Sequence, residues 1–103
     1  MMNNKLNFEL AENCKKNAIE DSSTFWHYFY RAEYDHADEA LSDVTGDAFD
    51  AMDYAIATIA REEVGSPDDA KRSVLARQEA REAIGVLASI TEELFERLKC
   101  YEG

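Results

Sequence analysis

The chain has 103 residues, 46% of them hydrophobic and 32% charged, and its 22 acidic against 11 basic side chains leave a net charge of −11. That length fits one helical domain spanning 1–103. One Pro and four Gly exclude collagen-like and turn-rich all-β chains, and no apolar run reaches the roughly 18 residues of a membrane span. So acidic a chain is unsuited to neutralising phosphates, so direct nucleic-acid binding is not expected.

The opening Met1-Met2-Asn3-Asn4-Lys5-Leu6 lacks the continuous apolar stretch of a secretory signal. Cys14 and Cys100 are too few for a disulfide scaffold. The expected setting is the cytoplasm with both thiols reduced; a Cys14–Cys100 clip is the alternative.

Helical spacing predicts an all-α bundle of four helices, at about 5–20, 23–44, 48–64 and 67–100. In the first, Leu6, Leu10 and Cys14 lie four apart with Phe8, Ala11, Ala18 and Ile19 beside them, and its start is expected to fray. Asp21-Ser22-Ser23-Thr24 is expected to form a turn and an N-cap. In the second helix Phe25, Phe29, Ala32 and His36 form one stripe. Trp26, Tyr30, Ala37, Ala40, Leu41 and Val44 form the adjoining one. Gly46 suits a stop, and Asp47 with Asp50 suits the next start.

The third helix has Phe49, Met52, Ala55, Ile56, Ile59 and Ala60 at core spacing, broken by Glu63. Gly65-Ser66-Pro67-Asp68-Asp69 is the strongest boundary: C′, N-cap, first helical position and two acids in the first turn. The last helix is long, with Ala80, Ile84, Leu87, Thr91, Leu94, Leu98 and Tyr101 as its seam. Ala83, Ala88, Ile90 and Phe95 widen that seam beyond a two-stranded coiled coil. Gly85 marks a close crossing or a bend.

Charge is uneven. Residues 1–22 carry three Lys against four acids, and 66–103 carry six basic against eight acidic side chains. From Glu33 to Asp53 there are eight acids and no Lys or Arg: Glu33, Asp35, Asp38, Glu39, Asp43, Asp47, Asp50 and Asp53. Spacings of three and four place such carboxylates as neighbours on a helix, roughly 5–6 Å apart. Like charges held that close destabilise a fold, which a partner wanting negative charge would offset; the plainer reading is a solvated face. Phe25-Trp26-His27-Tyr28-Phe29-Tyr30 points rings all around one helix, with Tyr34 a turn later. Phe25 and Phe29 are expected in the core, and Trp26, Tyr28, Tyr30 and Tyr34 are the candidates for a protein contact.

Several motifs come close to known chemistry. Glu33-Tyr34-Asp35-His36 is similar to the E-x-x-H pair of ferritin-like di-iron bundles, without the second pair or the additional Glu that those need. Glu92-Glu93-Leu94-Phe95-Glu96 resembles the E-E-x-x-E box of all-α nucleotide pyrophosphohydrolases. Its acidic partners Asp50 and Asp53 lie upstream rather than downstream. His36-Ala37-Asp38-Glu39 lacks the Lys and Gly of a phosphorelay module. Lys15, Lys16 and Lys99 adjoin the two cysteines in sequence, but neither Cys14 nor Cys100 is expected to act as a nucleophile. No catalytic residue, metal or cofactor is expected.

In size, charge and aromatic content the chain resembles phage-encoded anti-restriction and anti-CRISPR proteins. That resemblance implies a small acidic inhibitor, working in the cytoplasm of the host. Its acidic face would mimic nucleic acid and block a protein partner with a basic surface that handles nucleic acids. The alternatives are a homo-oligomeric helical adaptor, motivated by the 80–101 stripe and the surplus aromatics, and a Mg²⁺-dependent nucleotide hydrolase using Glu92, Glu93, Glu96, Asp50 and Asp53.

Overall fold

A computed structural model of the chain describes residues 4–61 and 66–102, with side chains described as far as Arg97. Among the described residues there are three α-helices and no strand: α1 (Asn4–Tyr30), α2 (Tyr34–Ile59) and α3 (Pro67–Glu102). The all-α class is as expected, but the helix count is three rather than four. No described helix is long and apolar enough to cross a membrane. The chain is elongated, 54 × 24 × 13 Å, with a radius of gyration of 16.4 Å against about 13 Å for a compact domain of this size.

Two expected breaks are absent. α1 runs straight through Asp21-Ser22-Ser23-Thr24. There the Thr24 hydroxyl bonds back to the Glu20 carbonyl at 3.2 Å, and Asp21 and Ser22 are half-buried between helices. α2 likewise runs through Gly46, flanked by the buried Val44 and Ala48. Burial on either side outweighs the cost of about 1 kcal/mol that a glycine imposes on a helix. Segments 23–44 and 48–64 are therefore not separate helices.

The real break is at Arg31-Ala32-Glu33. Glu33 N–H donates to the Tyr28 carbonyl at 3.0 Å and Ala32 N–H to the Phe29 carbonyl at 3.1 Å. This is a Schellman motif with its C′ residue, Ala32, at φ 60°. The position favours glycine, and the chain has alanine. By contrast, the start of α3 is as expected. Asp69 N–H donates to Ser66 Oγ and Ser66 N–H to Asp69 Oδ2, both at 3.2 Å, a reciprocal capping box ahead of Pro67. Gly65 and Glu63 lie outside the described residues.

α1 and α3 run in the same direction and α2 against them. The seams alternate three and four apart: Asn4, Asn7, Ala11, Cys14, Ala18, Asp21 and Phe25 in α1; Ala37, Ala40, Val44, Asp47 and Ala51 in α2; Ser73, Ala76, Ala80, Ala83, Leu87, Ile90 and Leu94 in α3. All are buried or half-buried. Alanine dominates, so the helix axes can approach closely, and several larger residues expected inside are outside. Leu6, Ile19, Phe49, Ile56, Ile59 and Ile84 are exposed, as are Ala32, His36, Ala60 and Thr91. An added Cβ at Gly85 meets nothing within 4 Å, so that glycine marks no close crossing. The side chains of Leu98, Cys100 and Tyr101 lie outside those described. Cys14 carries a free, half-buried thiol.

The expected fraying at the start of α1 is also absent. Asn4 is fully buried; its N–H donates to Asp69 Oδ1 at 3.0 Å, and its amide donates to the carbonyls of Thr58 (2.9 Å) and Asp69 (2.8 Å). The Thr58 hydroxyl donates to the Ala55 carbonyl at 2.6 Å and is hydrogen-bonded to the Ser73 hydroxyl at 3.1 Å. This polar knot ties one end of all three helices together.

Candidate functional site

Because α2 is continuous, seven of the eight clustered acids lie on one helix: Asp35, Asp38, Glu39, Asp43, Asp47, Asp50 and Asp53. At about 100° per residue they fall within roughly half the helix circumference, centred away from the buried Ala37–Val44–Ala51–Thr58 face. Six of them are exposed, and Asp47 is half-buried. From Asp35 to Asp53 they cover about 27 Å of helix, roughly one carboxylate per 4.5 Å of rise.

Ion pairs of the described residues scarcely touch this stripe. Lys15 holds Glu79 at 2.6 Å and Glu82 at 3.1 Å, Arg61 holds Asp69 at 3.5 Å and Arg97 holds Glu93 at 3.3 Å. Glu33, on the turn, is paired with Arg31 at 3.3 Å, so it is compensated rather than part of a bare acidic face. Glu39 lies 4.0 Å from His36.

The middle of the stripe folds inward. A notch of about 330 Å³ between α1 and α2 is lined by Asn17, Asp21, Ser42, Asp43, Gly46, Asp47 and Asp50. Asp21 and Asp47 both occupy seam positions, so the two carboxyls meet across the helix contact. Asp47 Oδ2 is shielded from solvent and accepts no hydrogen bond. Burial pushes the Asp47 carboxyl up to about 7, followed by the approach of the Asp21 carboxyl and then the charges of Asp43 and Asp50. Burial, and behind it the charges of Asp50 and Asp47, also raises the Cys14 thiol above its ordinary range, which opposes nucleophilic reactivity. Asp21 was missed by the sequence reading, which placed it in a turn; the three–four spacing Ala18, Asp21, Phe25 is the signal that marks it.

The aromatic candidates divide. Trp26 and Tyr28 are half-buried against the core that holds Phe25, Val44 and Ile90. Tyr28 lies with its ring 5.0 Å from that of His36. Tyr30 and Tyr34 are about 60% exposed, at 62% and 60%. Arg97 sits over the rings of Trp26 (5.9 Å), Phe29 (5.6 Å) and Tyr30 (5.0 Å) and donates to the Tyr30 hydroxyl at 2.7 Å. Tyr34 joins Ala32, Glu33, Asp35 and His36 around a shallow pocket, so the exposed aromatic end adjoins the first carboxylate of the stripe.

The near-motifs are not assembled. Among the described residues no group of three or more His, Cys, Asp and Glu side chains is arranged to hold a metal ion. Glu93 is engaged by Arg97 and Tyr30 at the aromatic end, whereas Asp50 lies 16 residues into α2, about 24 Å along the bundle. No protein-family model matches the chain, and comparisons with curated proteins and with solved structures return no match either.

Proposed function

We propose that this chain is a protein-binding inhibitor, of the anti-restriction and anti-CRISPR kind, whose acidic flank occupies a Lys/Arg-lined nucleic-acid channel on another protein. One observation carries the reading: six exposed carboxylates, Asp35, Asp38, Glu39, Asp43, Asp50 and Asp53, lie along a single helix with the half-buried Asp47 among them, and no described Lys or Arg is paired with any of the seven. The six exposed carboxylates rise about 5 Å per charge, against the roughly 3.4 Å per phosphate of one nucleic-acid strand. A rigid helix pre-organises the backbone that carries these charges, which lowers the entropy lost in aligning them on binding. Complementary potential speeds encounter with a basic channel and disfavours acidic or neutral surfaces. Tyr34, exposed beside Asp35, and Tyr30, exposed at the same end of the bundle, supply contact area that does not weaken with salt.

The test is capture by the immobilised chain from a host lysate at low and high salt. A variant with Asp35, Asp38, Asp43, Asp47, Asp50 and Asp53 all replaced by Asn is run beside it. The parent chain should retain nucleic-acid-handling proteins at low salt and release them at high salt, and added duplex should compete. If the neutralised variant, still helical by circular dichroism, retains the same proteins, the acidic flank is not the binding surface.

A further inference from the structure

The flank of α2 turned toward α3 is the chemical opposite of the acidic one. Of the ten exposed large hydrophobic residues among those described, five lie on the α2/α3 side: Phe49 (56%), Ile56 (59%), Ile59 (45%), Val74 (46%) and Ile84 (37%). Between the helices runs an open groove of about 300 Å³, with Met52, Ile56 and Ile59 on its α2 wall and Ala80 and Ile84 on its α3 wall. The α3 wall also carries Arg77 and Arg81. On α2, Asp53 is four residues after Phe49 and three before Ile56, so it borders the apolar stripe on the side away from α3. Across this face the order is acid, apolar stripe, groove, two arginines.

We propose that a second copy of this chain docks on the α2/α3 groove, forming a two-fold dimer whose axis runs parallel to the helices. Such an axis lays the α2 wall of one copy on the α3 wall of the other without shifting height. The Thr58–Ser73 hydrogen bond, 3.1 Å, fixes which residues are level in the antiparallel α2/α3 pair. Counting from it, Asp53 is level with Gln78, between Arg77 and Arg81. Ile56 is level with Leu75, beside Val74, and Phe49 with Glu82, two residues from Ile84. The operation therefore sets Asp53 of each copy near Arg81 of the other, beside Arg77, whose Nε donates to the Ser73 carbonyl of its own chain at 3.4 Å, Ile56 against Val74, and Phe49 near Ile84. The face is complementary to itself in charge and in apolar position, as an isologous contact requires.

The flattened 54 × 24 × 13 Å shape and the alanine seam fit this pairing: within one copy the large apolar side chains of the α2/α3 side remain 37–59% exposed. The arrangement leaves Glu39, Asp43 and Asp50 on the outside of the dimer, with Asp35 and Asp53 at the border between the two surfaces; Asp38, five turns before Ile56, lies in line with the apolar stripe beyond the end of the groove. Its salt response is opposite to that of the acidic flank. Apolar burial persists at high salt, and screening relieves the repulsion between two chains of charge −11.

Sedimentation velocity of the full chain at micromolar concentration and high salt should give a species of twice 11.7 kDa. Ile56→Glu and Ile84→Glu, both at exposed positions, should each weaken dimerisation by about a hundredfold or more, since every substitution enters the interface twice. The circular dichroism of each should be unchanged. Asp53→Arg should weaken the dimer, and adding Arg81→Asp should restore it. A strict monomer at all accessible concentrations overturns the proposal. So does a dimer that survives Ile56→Glu and Ile84→Glu, which would place the contact elsewhere, such as the Tyr30/Tyr34 end. An Asp53→Arg chain that pairs as tightly as the parent overturns the parallel arrangement.

Discussion

The two ends of this molecule solve helix packing in different ways. Around the α1–α2 turn, Phe25, Val44 and Ile90 are buried with Trp26, Phe29 and Leu94 packed on them. Toward the other end the core is Ala11, Ala48, Ala51, Ala55, Ala76, Ala80 and Ala83, closed off by the Asn4–Thr58–Asp69–Ser73 polar knot. The aromatic end is held by apolar area. The alanine end is held by short interhelical distance and satisfied hydrogen bonds, which displaces its large side chains to the outside. The first strategy uses large residues as core, and the second leaves them free to form surfaces; the groove lies at the second end.

That contrast breaks in opposite directions under mutation. At the aromatic end a large-to-small change is the damaging one. Phe25→Ala, at a side chain 3% exposed, should cost about 3–5 kcal/mol, read as a lower denaturation midpoint. At the alanine end the damaging change is small-to-large. Ala51→Leu, at a position 0% exposed, should cost about 1–3 kcal/mol because the helices must separate to admit it. Were Ala51→Leu neutral or stabilising, the two ends would not differ as described.

The same contrast governs what the sequence made legible. The α3 start was legible because Ser66, Pro67 and Asp69 do locally what their types imply. The α1–α2 turn was not, because its C′ residue is alanine, while glycine stands at 46 inside a helix that burial holds together. The apolar faces were misassigned for one reason: ranking by size put Phe49, Ile56, Ile59 and Ile84 inside, and the seam uses the alanines beside them. The acidic stripe was visible in the spacing of its residues. Its notch was not, since that depends on Asp21 coming across from a helix whose continuity the sequence obscured.

A smaller effect distinguishes the polar knot from the acidic notch through pH. Asp47 has a folded-state pKa raised from 3.8 to about 7, so the folded chain binds the extra proton. Its stabilising contribution is full below pH 4 and declines as pH rises to about 7. Asp69 shifts the other way: the hydrogen bond from Asn4 N–H, then that from Ser66 N–H and the charge of Arg61, hold its carboxyl below the usual range even against burial. Its contribution is present above pH 3.8 and lost as pH falls through the lowered value. Between these two groups, thermal stability should peak near pH 4. Asp47→Asn should remove the decline toward neutral pH, stabilising by about 1–2 kcal/mol above pH 7 after solvent screening and little near pH 4. An unchanged slope in that variant would show that Asp47 ionises without penalty.

The smallest effect tests the turn that joins the two strategies. Ala32 adopts φ 60°, where an L side chain costs about 1–2 kcal/mol that glycine avoids. Glycine at that site gives back about 0.4–1 kcal/mol through the greater freedom of the unfolded chain. Ala32→Gly should therefore stabilise by roughly 0.5–1 kcal/mol. The same substitution at Ala57, exposed within α2, should destabilise by about 1 kcal/mol. Opposite signs for one chemical change isolate the backbone conformation as the cause, because neither methyl is buried. Matching signs would mean that α1 continues past Tyr30 in solution, and the acidic stripe and the aromatic end would no longer meet at a fixed corner.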